Sequence, residues 1–399
     1  MIPVILIAAA AVFILSMIGT RVAITLSHRL RFMDKPGSEA HKQQKMAVPY
    51  GGGLAMAVAL GLGIAGFNLY YATTSIDPAF ATPPGEPLKH GSLLPIYLGA
   101  LVLLIVGLID DRKPLSAKMK LLAQLSVAAV VIPTAGLGIN SLGHHPLLAM
   151  GLAWVWMVGV TNAFNLLDHA DGLSGSVAVV STAVLLSGTI MAGDVQLVAL
   201  WSMLIATLLG FLVWNLPPAK VYMGDAGSMP LGFLVAAGTL SVTFWPSAQG
   251  GSHLAVLAPV LITAIPLFDT AVVMCKRWAA GKPLMVGDRN HISHRLERLG
   301  FSPAMRLAVV VSLQIALACG ALLLRLSGDP LVAAVVVGQA AAILFAVVLL
   351  ETMREKSREN SDKFVKNAPI AASAALDPTT PAAATPAPAA PADARGGHV

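Results

Sequence analysis

Charge is scarce in this sequence. Asp, Glu, Lys and Arg make up 12% of its 399 residues, about half the share of an ordinary soluble domain, while 56% are hydrophobic and the mean hydropathy is +0.76. That balance excludes a free-standing soluble domain. Cysteine is nearly absent: Cys275 and Cys319 both fall inside apolar runs, so there is no disulfide framework, no rigid zinc spacing and no redox Cys-x-x-C. No internal repeat is visible, which counts against an inverted-repeat carrier. The first apolar run, about 2–26, has no Lys or Arg ahead of it and Arg21, Arg29 and Arg31 at its end, the reverse of a cleavable signal peptide.

What is present instead is a series of about eleven apolar runs, each of about 17 to 25 residues and long enough to cross a hydrocarbon core of about 30 Å. The expected fold class is an all-α integral membrane protein, a polytopic bundle of about eleven transmembrane helices. Basic residues orient it. By the positive-inside rule the N-terminus lies outside and the C-terminus in the cytoplasm, and this threading puts 24 of the 26 Lys and Arg in inner segments, the exceptions being Lys89 and Arg325. Residues 1–350 form the expected membrane domain. From Glu351 a charged run gives way to an Ala- and Pro-rich cytoplasmic tail that cannot build a core and is expected to be disordered.

The threading gathers the dense polar groups on one side: Asp110 and Asp111; Asn162, Asn165, Asp168 and Asp171; Asn215 to Ser228; and Asp288 to Arg295. Carriers place ionisable residues at mid-membrane depth, and here only Asp269 qualifies. Helix packing, a pair with Lys276 or Arg277, or a catalytic role are all open to it. The four side chains from Asn162 to Asp171 recur every third residue, so on a helix neighbours share a face, with Gly172 releasing the chain into the next run. The glycines at 51–53 allow close approach of backbone to a ligand or to another helix. Carboxylates gathered near Lys42, Lys113, Lys118, Lys120 and Arg289 suit a polyphosphate held through a divalent cation, because magnesium prefers oxygen ligands and bridges carboxylates to phosphates.

In order and spacing these residues resemble the polyprenyl-phosphate N-acetylhexosamine-1-phosphate transferases. The resemblance covers residues 1 to about 350 and rests on several motifs: Asp110-Asp111 with Leu115-Ser116 and Lys120; Asn162-x-x-Asn165-x-x-Asp168-x-x-Asp171-Gly172; Asn215 followed by Met223-Gly224-Asp225-x-Gly227-Ser228; and the histidine loop Asp288 to His294. It implies transfer of an N-acetylhexosamine 1-phosphate, GlcNAc-1-phosphate first, from a UDP-sugar to polyprenyl phosphate. UMP would be released and a lipid-linked diphosphate sugar formed for cell-envelope glycan synthesis. The alternatives are UDP-MurNAc-pentapeptide as the sugar nucleotide and, from another class, a solute transporter.

The resemblance further implies catalytic roles for Asp110, Asp111, His291 and His294. Lys42, Lys120, Asn162, Asp168, Asp171, Asn215 and Arg289 would bind substrate, and Asp225 and Asn165 would hold Mg2+, with Mn2+ an admissible substitute. The implied partners are the UDP-activated N-acetylhexosamine, the polyprenyl phosphate lipid and the inner membrane, with the active site on the cytoplasmic face. No nucleic acid is expected, and a homodimer is compatible. Two departures stand out. Where the UDP-GlcNAc branch often carries His-Ile-His-His, this chain has His291-Ile292-Ser293-His294, so position 293 offers no imidazole. His169 stands where a glycine is usual between the two aspartates, which puts the local backbone in question.

Overall fold

The computed structural model describes residues 1–34, 47–74, 93–138, 145–241, 256–283 and 290–367. It is helical apart from a two-residue antiparallel pairing of β1 (Met33–Asp34) with β2 (Val48–Pro49). The helices are α1 (Ile2–Leu30), α2 (Gly52–Thr73), α3 (Leu94–Arg112), α4 (Ala117–Thr134), α5 (Pro146–Leu167), α6 (Leu173–Ala192), α7 (Val195–Asn215), α8 (Asp225–Ser241), α9 (Ala258–Ile262), α10 (Ala264–Ala279), α11 (Ile292–Arg298), α12 (Pro303–Leu326) and α13 (Pro330–Asn367). The chain divides into two compact units, 1–344 and 345–399.

Nine helices among the described residues are long and apolar enough to cross a membrane: α1 to α7, α12 and the first 21 residues of α13. The chain is therefore an all-α, multi-pass membrane protein. The eighth and ninth expected crossings take other forms. Helix α8 has 17 residues and is buried along almost its whole length, packed on by α2, α3, α5 and α6. The ninth is broken at Thr263 into α9 and α10. Pro266 cannot donate to the carbonyl one turn back, and a freed backbone group in an apolar interior must find a partner. The Ile262 carbonyl accepts from Ser181 Oγ and Gln314 Nε2, both at 2.7 Å, while Ile265 N–H donates to Gln314 Oε1 at 3.2 Å.

Helix ends are set by local chemistry. Ser116, Asp194 and Ser302 cap α4, α7 and α12 by accepting N–H groups of the first turn. Helix α5 ends earlier than the triplet spacing suggests. It stops at Leu167, so Asn162 and Asn165 share a helical face while Asp168 is the C-cap residue and Asp171 lies in the turn beyond. The left-handed turn falls to Gly172, with φ of 70°. His169 has no positive φ, so its side chain costs the backbone nothing.

The first turn of α8 is where the fold closes up. A Cβ on Gly107 would stand 2.4 Å from the Asp225 backbone, and one on Gly53 would stand 2.3 Å from Gly227 N. Only glycine lets α3 and α2 come so near. The glycine run at 51–53 therefore serves helix packing: Gly52 and Gly53 donate their N–H groups to the Tyr222 and Met223 carbonyls at 3.1 and 3.0 Å.

Candidate active site

Three carboxylates from two helices meet at the start of α8. Asp110 and Asp111, in the last turn of α3, and Asp225, the first residue of α8, each bring an oxygen within 4.8 Å of the others. Asp111 does so by capping a helix that is not its own. Its Oδ1 accepts from Asp225 N–H at 2.8 Å and its Oδ2 from Ala226 N–H at 3.1 Å, where the helix dipole favours an anion. Gly224, at φ of 68°, makes room for that carboxylate, since a Cβ there would lie 2.5 Å from it. Asp110 accepts Leu115 N–H at 2.8 Å and Lys120 Nζ at 3.3 Å, and Lys120 also reaches Asp225 Oδ2 at 2.9 Å.

Fully ionised, three carboxylates against one ammonium would leave two negative charges, which one divalent cation would balance. With an effective dielectric near 20, two carboxylates about 5 Å apart repel by about 3 kcal/mol. Hard oxygen donors at that spacing fit magnesium. Asp168 responds to the excess: desolvation first, then the charges of Asp225, Asp111 and Asp171, pushes its carboxyl well above the usual carboxylate range and so favours its neutral form. Asn165 meets Asp225 Oδ1 through its amide nitrogen at 3.0 Å and donates to Ser228 Oγ at 2.9 Å. In this arrangement it braces the carboxylate, and its Oδ1 is the atom left to ligate.

A second cluster lies on the other side of the 168–169 step. Asp269, buried in α10, accepts from His291 Nδ1 at 2.7 Å, Ile292 N–H at 2.6 Å and Arg295 at 3.2 Å. The pairing of Asp269 with Lys276 or Arg277, left open by the sequence, is not what forms; Arg277 Nε donates instead to the Pro283 carbonyl at 2.6 Å. His169 stacks on His291 with ring centroids 4.3 Å apart and on His294 at 5.5 Å, and His294 pairs with Glu297 at 3.2 Å. Desolvation, then the neighbouring His291, lowers the His169 imidazole to about 3, so the ring is neutral. Oxygen and nitrogen atoms of His169, Asp269 and His291 also come within 4.8 Å of one another. This group does not fit an ion, because Arg295 and two N–H donors already satisfy Asp269.

Thus Asp110, Asp111, Lys120, Asn165 and Asp225 come together directly, with Asp168 beside them. Asp171 accepts Ala219 N–H at 2.9 Å. Asn215 is a brace whose amide joins Gly172 N–H at 3.0 Å to the Val221 carbonyl at 2.8 Å. Asn162 turns away to Gln124 of α4 and the Val158 carbonyl. Lys42 and Arg289 lie outside the described residues. Sequence reasoning missed Gln124, the Asp269–His291–Arg295 group and Tyr222. Burial first, then the charges of Asp171, Asp34 and Asp168, pushes the Tyr222 phenol upward. The one available signal was Asp269 itself, an acid inside an apolar run with no basic neighbour one turn away.

Comparison with known proteins gives the chain a family. Residues 93–243 match the model of glycosyl transferase family 4, a stretch holding the whole carboxylate cluster and His169 but not Asp269 or His291. The chain is 29% identical over 322 residues to a probable undecaprenyl-phosphate N-acetylglucosaminyl 1-phosphate transferase of Bacillus subtilis, covering 79% of this chain and 82% of that one. It is 30% identical over 310 residues to the undecaprenyl-phosphate alpha-N-acetylglucosaminyl 1-phosphate transferase of Yersinia pestis, covering 73% and 76%. With the Salmonella typhimurium enzyme of the same name it shares 31% over 327 residues, covering 78% and 81%. The chain belongs to this family, the polyprenyl-phosphate N-acetylhexosamine-1-phosphate transferases, and is a membrane phosphotransferase.

Proposed function

We propose that the protein transfers GlcNAc-1-phosphate from UDP-GlcNAc to undecaprenyl phosphate on the cytoplasmic face of the inner membrane. An oxygen of the lipid phosphate attacks the sugar-bearing phosphorus, the bond from that phosphorus to the bridging oxygen breaks, and UMP leaves with the bridging oxygen. The observation that carries this reading is the convergence of Asp110, Asp111 and Asp225, with Lys120 bridging the first and the last. The choice of UDP-GlcNAc follows the names of the relatives.

Asp225 and the Asp110–Asp111 pair would hold the magnesium ion, with manganese a substitute, and Asn165 would brace Asp225. Bound there, the ion would supply neutralisation of the diphosphate's charge and of the charge that builds up on the transferring phosphoryl group. Lys120 neutralises a further charge between Asp110 and Asp225. The lipid phosphate, with a second pKa near 6, is largely dianionic at neutral pH, so Asp110 serves to orient it more than to deprotonate it. Asp168 and Asp171 line the sugar nucleotide's side of the cluster. His291, its Nδ1–H directed at Asp269, turns Nε2 to the diphosphate together with His294, Lys42 and Arg289. Asn162 and Asn215 support the same site from one turn deeper in α5 and from the end of α7.

The topology that goes with this reading has eleven crossings, with α8 and the broken α9–α10 among them, the N-terminus outside and a tail from 351 in the cytoplasm. The test is UMP release by purified protein given undecaprenyl phosphate, Mg2+ and either UDP-GlcNAc or UDP-MurNAc-pentapeptide. Release with UDP-GlcNAc alone is the expected result. Release only with the peptide-bearing nucleotide would reassign the substrate, and none with either would end the proposal.

A further inference from the structure

Positions 169 and 293, the two at which the chain departs from the pattern it resembles, touch each other. His169 Nε2 lies 2.6 Å from Ser293 Oγ, and His169 Nδ1 lies 2.9 Å from the Leu166 carbonyl. A carbonyl can only accept, so Nδ1 carries the proton and donates it, which leaves Nε2 to accept the Ser293 hydroxyl. With both nitrogens engaged, His169 has no lone pair to offer a substrate or an ion. What it offers is its ring face, on which His291 stacks at 4.3 Å and 28° and His294 at 5.5 Å and 30°. Ser293 is buried at 2% exposure, so it does more than line the loop.

We propose that His169 is a positioning residue, clamped by Ser293, whose ring sets the orientation of His291 and His294, and that residues 169 and 293 function only as a matched pair. This rests on the reading that the two loop histidines engage the sugar nucleotide. Position 169 is suited to the task because residue 168 faces the carboxylate cluster and residue 169 the histidine loop, one peptide apart. The pairing is mutual. A longer side chain at 293 runs from the present Oγ position into the His169 ring. A glycine at 169 leaves the buried hydroxyl without its acceptor and His291 without its stacking face. Changing both residues lets an imidazole at 293 occupy the volume that the ring at 169 vacates.

The test is a double-mutant cycle on the full-length protein, read as kcat for UMP release, KM for each substrate and thermal midpoint. His169→Gly and Ser293→His should each lower kcat about tenfold or more, the scale expected when catalytic groups are slightly misplaced. The double variant should recover to within about threefold of wild type, because contacting residues couple. Ser293→Ala, which only removes the hydroxyl and has no bulk to disturb folding, should lower kcat while leaving KM for the lipid phosphate unchanged. Multiplicative losses in the cycle overturn the proposal, as does recovery of the thermal midpoint without recovery of kcat, or wild-type kcat in Ser293→Ala. His291→Ala and His294→Ala separate the layers. If both keep wild-type turnover, the proposal falls together with the reading beneath it. If both are inactive and the cycle is multiplicative, the proposal falls alone.

Discussion

The two polar clusters both hold aspartate, but in one the carboxylates outnumber their cationic partner and in the other a single carboxylate is fully partnered. At the start of α8, three carboxylates face one lysine, and the imbalance is held in place by Asp111 capping a foreign helix and by glycines that no larger residue could replace. Around Asp269 every charge is matched: one buried carboxylate takes an imidazole, a backbone N–H and a guanidinium. The first cluster has carboxylates to spare for the proposed cation, and in the second the one carboxylate is already taken up. Under the proposed function, the unbalanced charge is where the reaction is run and the satisfied charge is the frame that aims residues at it.

The sharpest way to break this contrast is to remove one carboxylate from each cluster. Asp225→Asn should lower turnover by about a thousandfold, on the scale of losing a preorganised electrostatic group, without lowering the thermal midpoint, because it relieves repulsion. Mg2+ should raise the midpoint of the wild type but not of this variant. Asp269→Asn should do the reverse in stability. It leaves Arg295 without its buried counter-charge, a change on the order of 3–5 kcal/mol, and thermal melting should show a large fall. If the two variants melt alike, the distinction between the clusters is wrong.

Smaller effects sharpen the picture. Asp111→Ala should cost about 1 kcal/mol through loss of the α8 cap, measured by denaturation in detergent, and should reduce activity less than Asp225→Asn does. Deleting residues 368–399, beyond the end of α13, should leave UMP release unchanged, and a large loss would give the tail a role in catalysis.

Hydropathy and charge asymmetry made most of the fold legible in the sequence, because a crossing is a local property of about twenty residues. So were Asp110, Asp111, Lys120, Asn165 and Asp225, whose types suit one chemistry. The break at Thr263 was not legible, since it depends on Gln314 and Ser181 from helices far along the chain. Nor was the partner of Asp269, because nothing near residue 269 points to a loop some twenty residues on. The spacing of Asn162 to Asp171 suggested that neighbours share a helical face throughout, yet the helix ends at Leu167 with Asp168 as its C-cap, and Asp171 accepts the Ala219 N–H from the turn beyond. Position 169 raised doubt about the backbone, but the positive φ falls to Gly172, which the sequence had already marked as the release point.

The most direct test is Mn2+ binding to purified protein, followed by electron paramagnetic resonance with Mg2+ as competitor. One immobilised Mn2+ per chain is expected in the wild type and in His291→Ala, and none in Asp225→Asn. Undiminished binding in Asp225→Asn, or loss of the ion in His291→Ala, would place the cation in the wrong cluster and contradict the assignment.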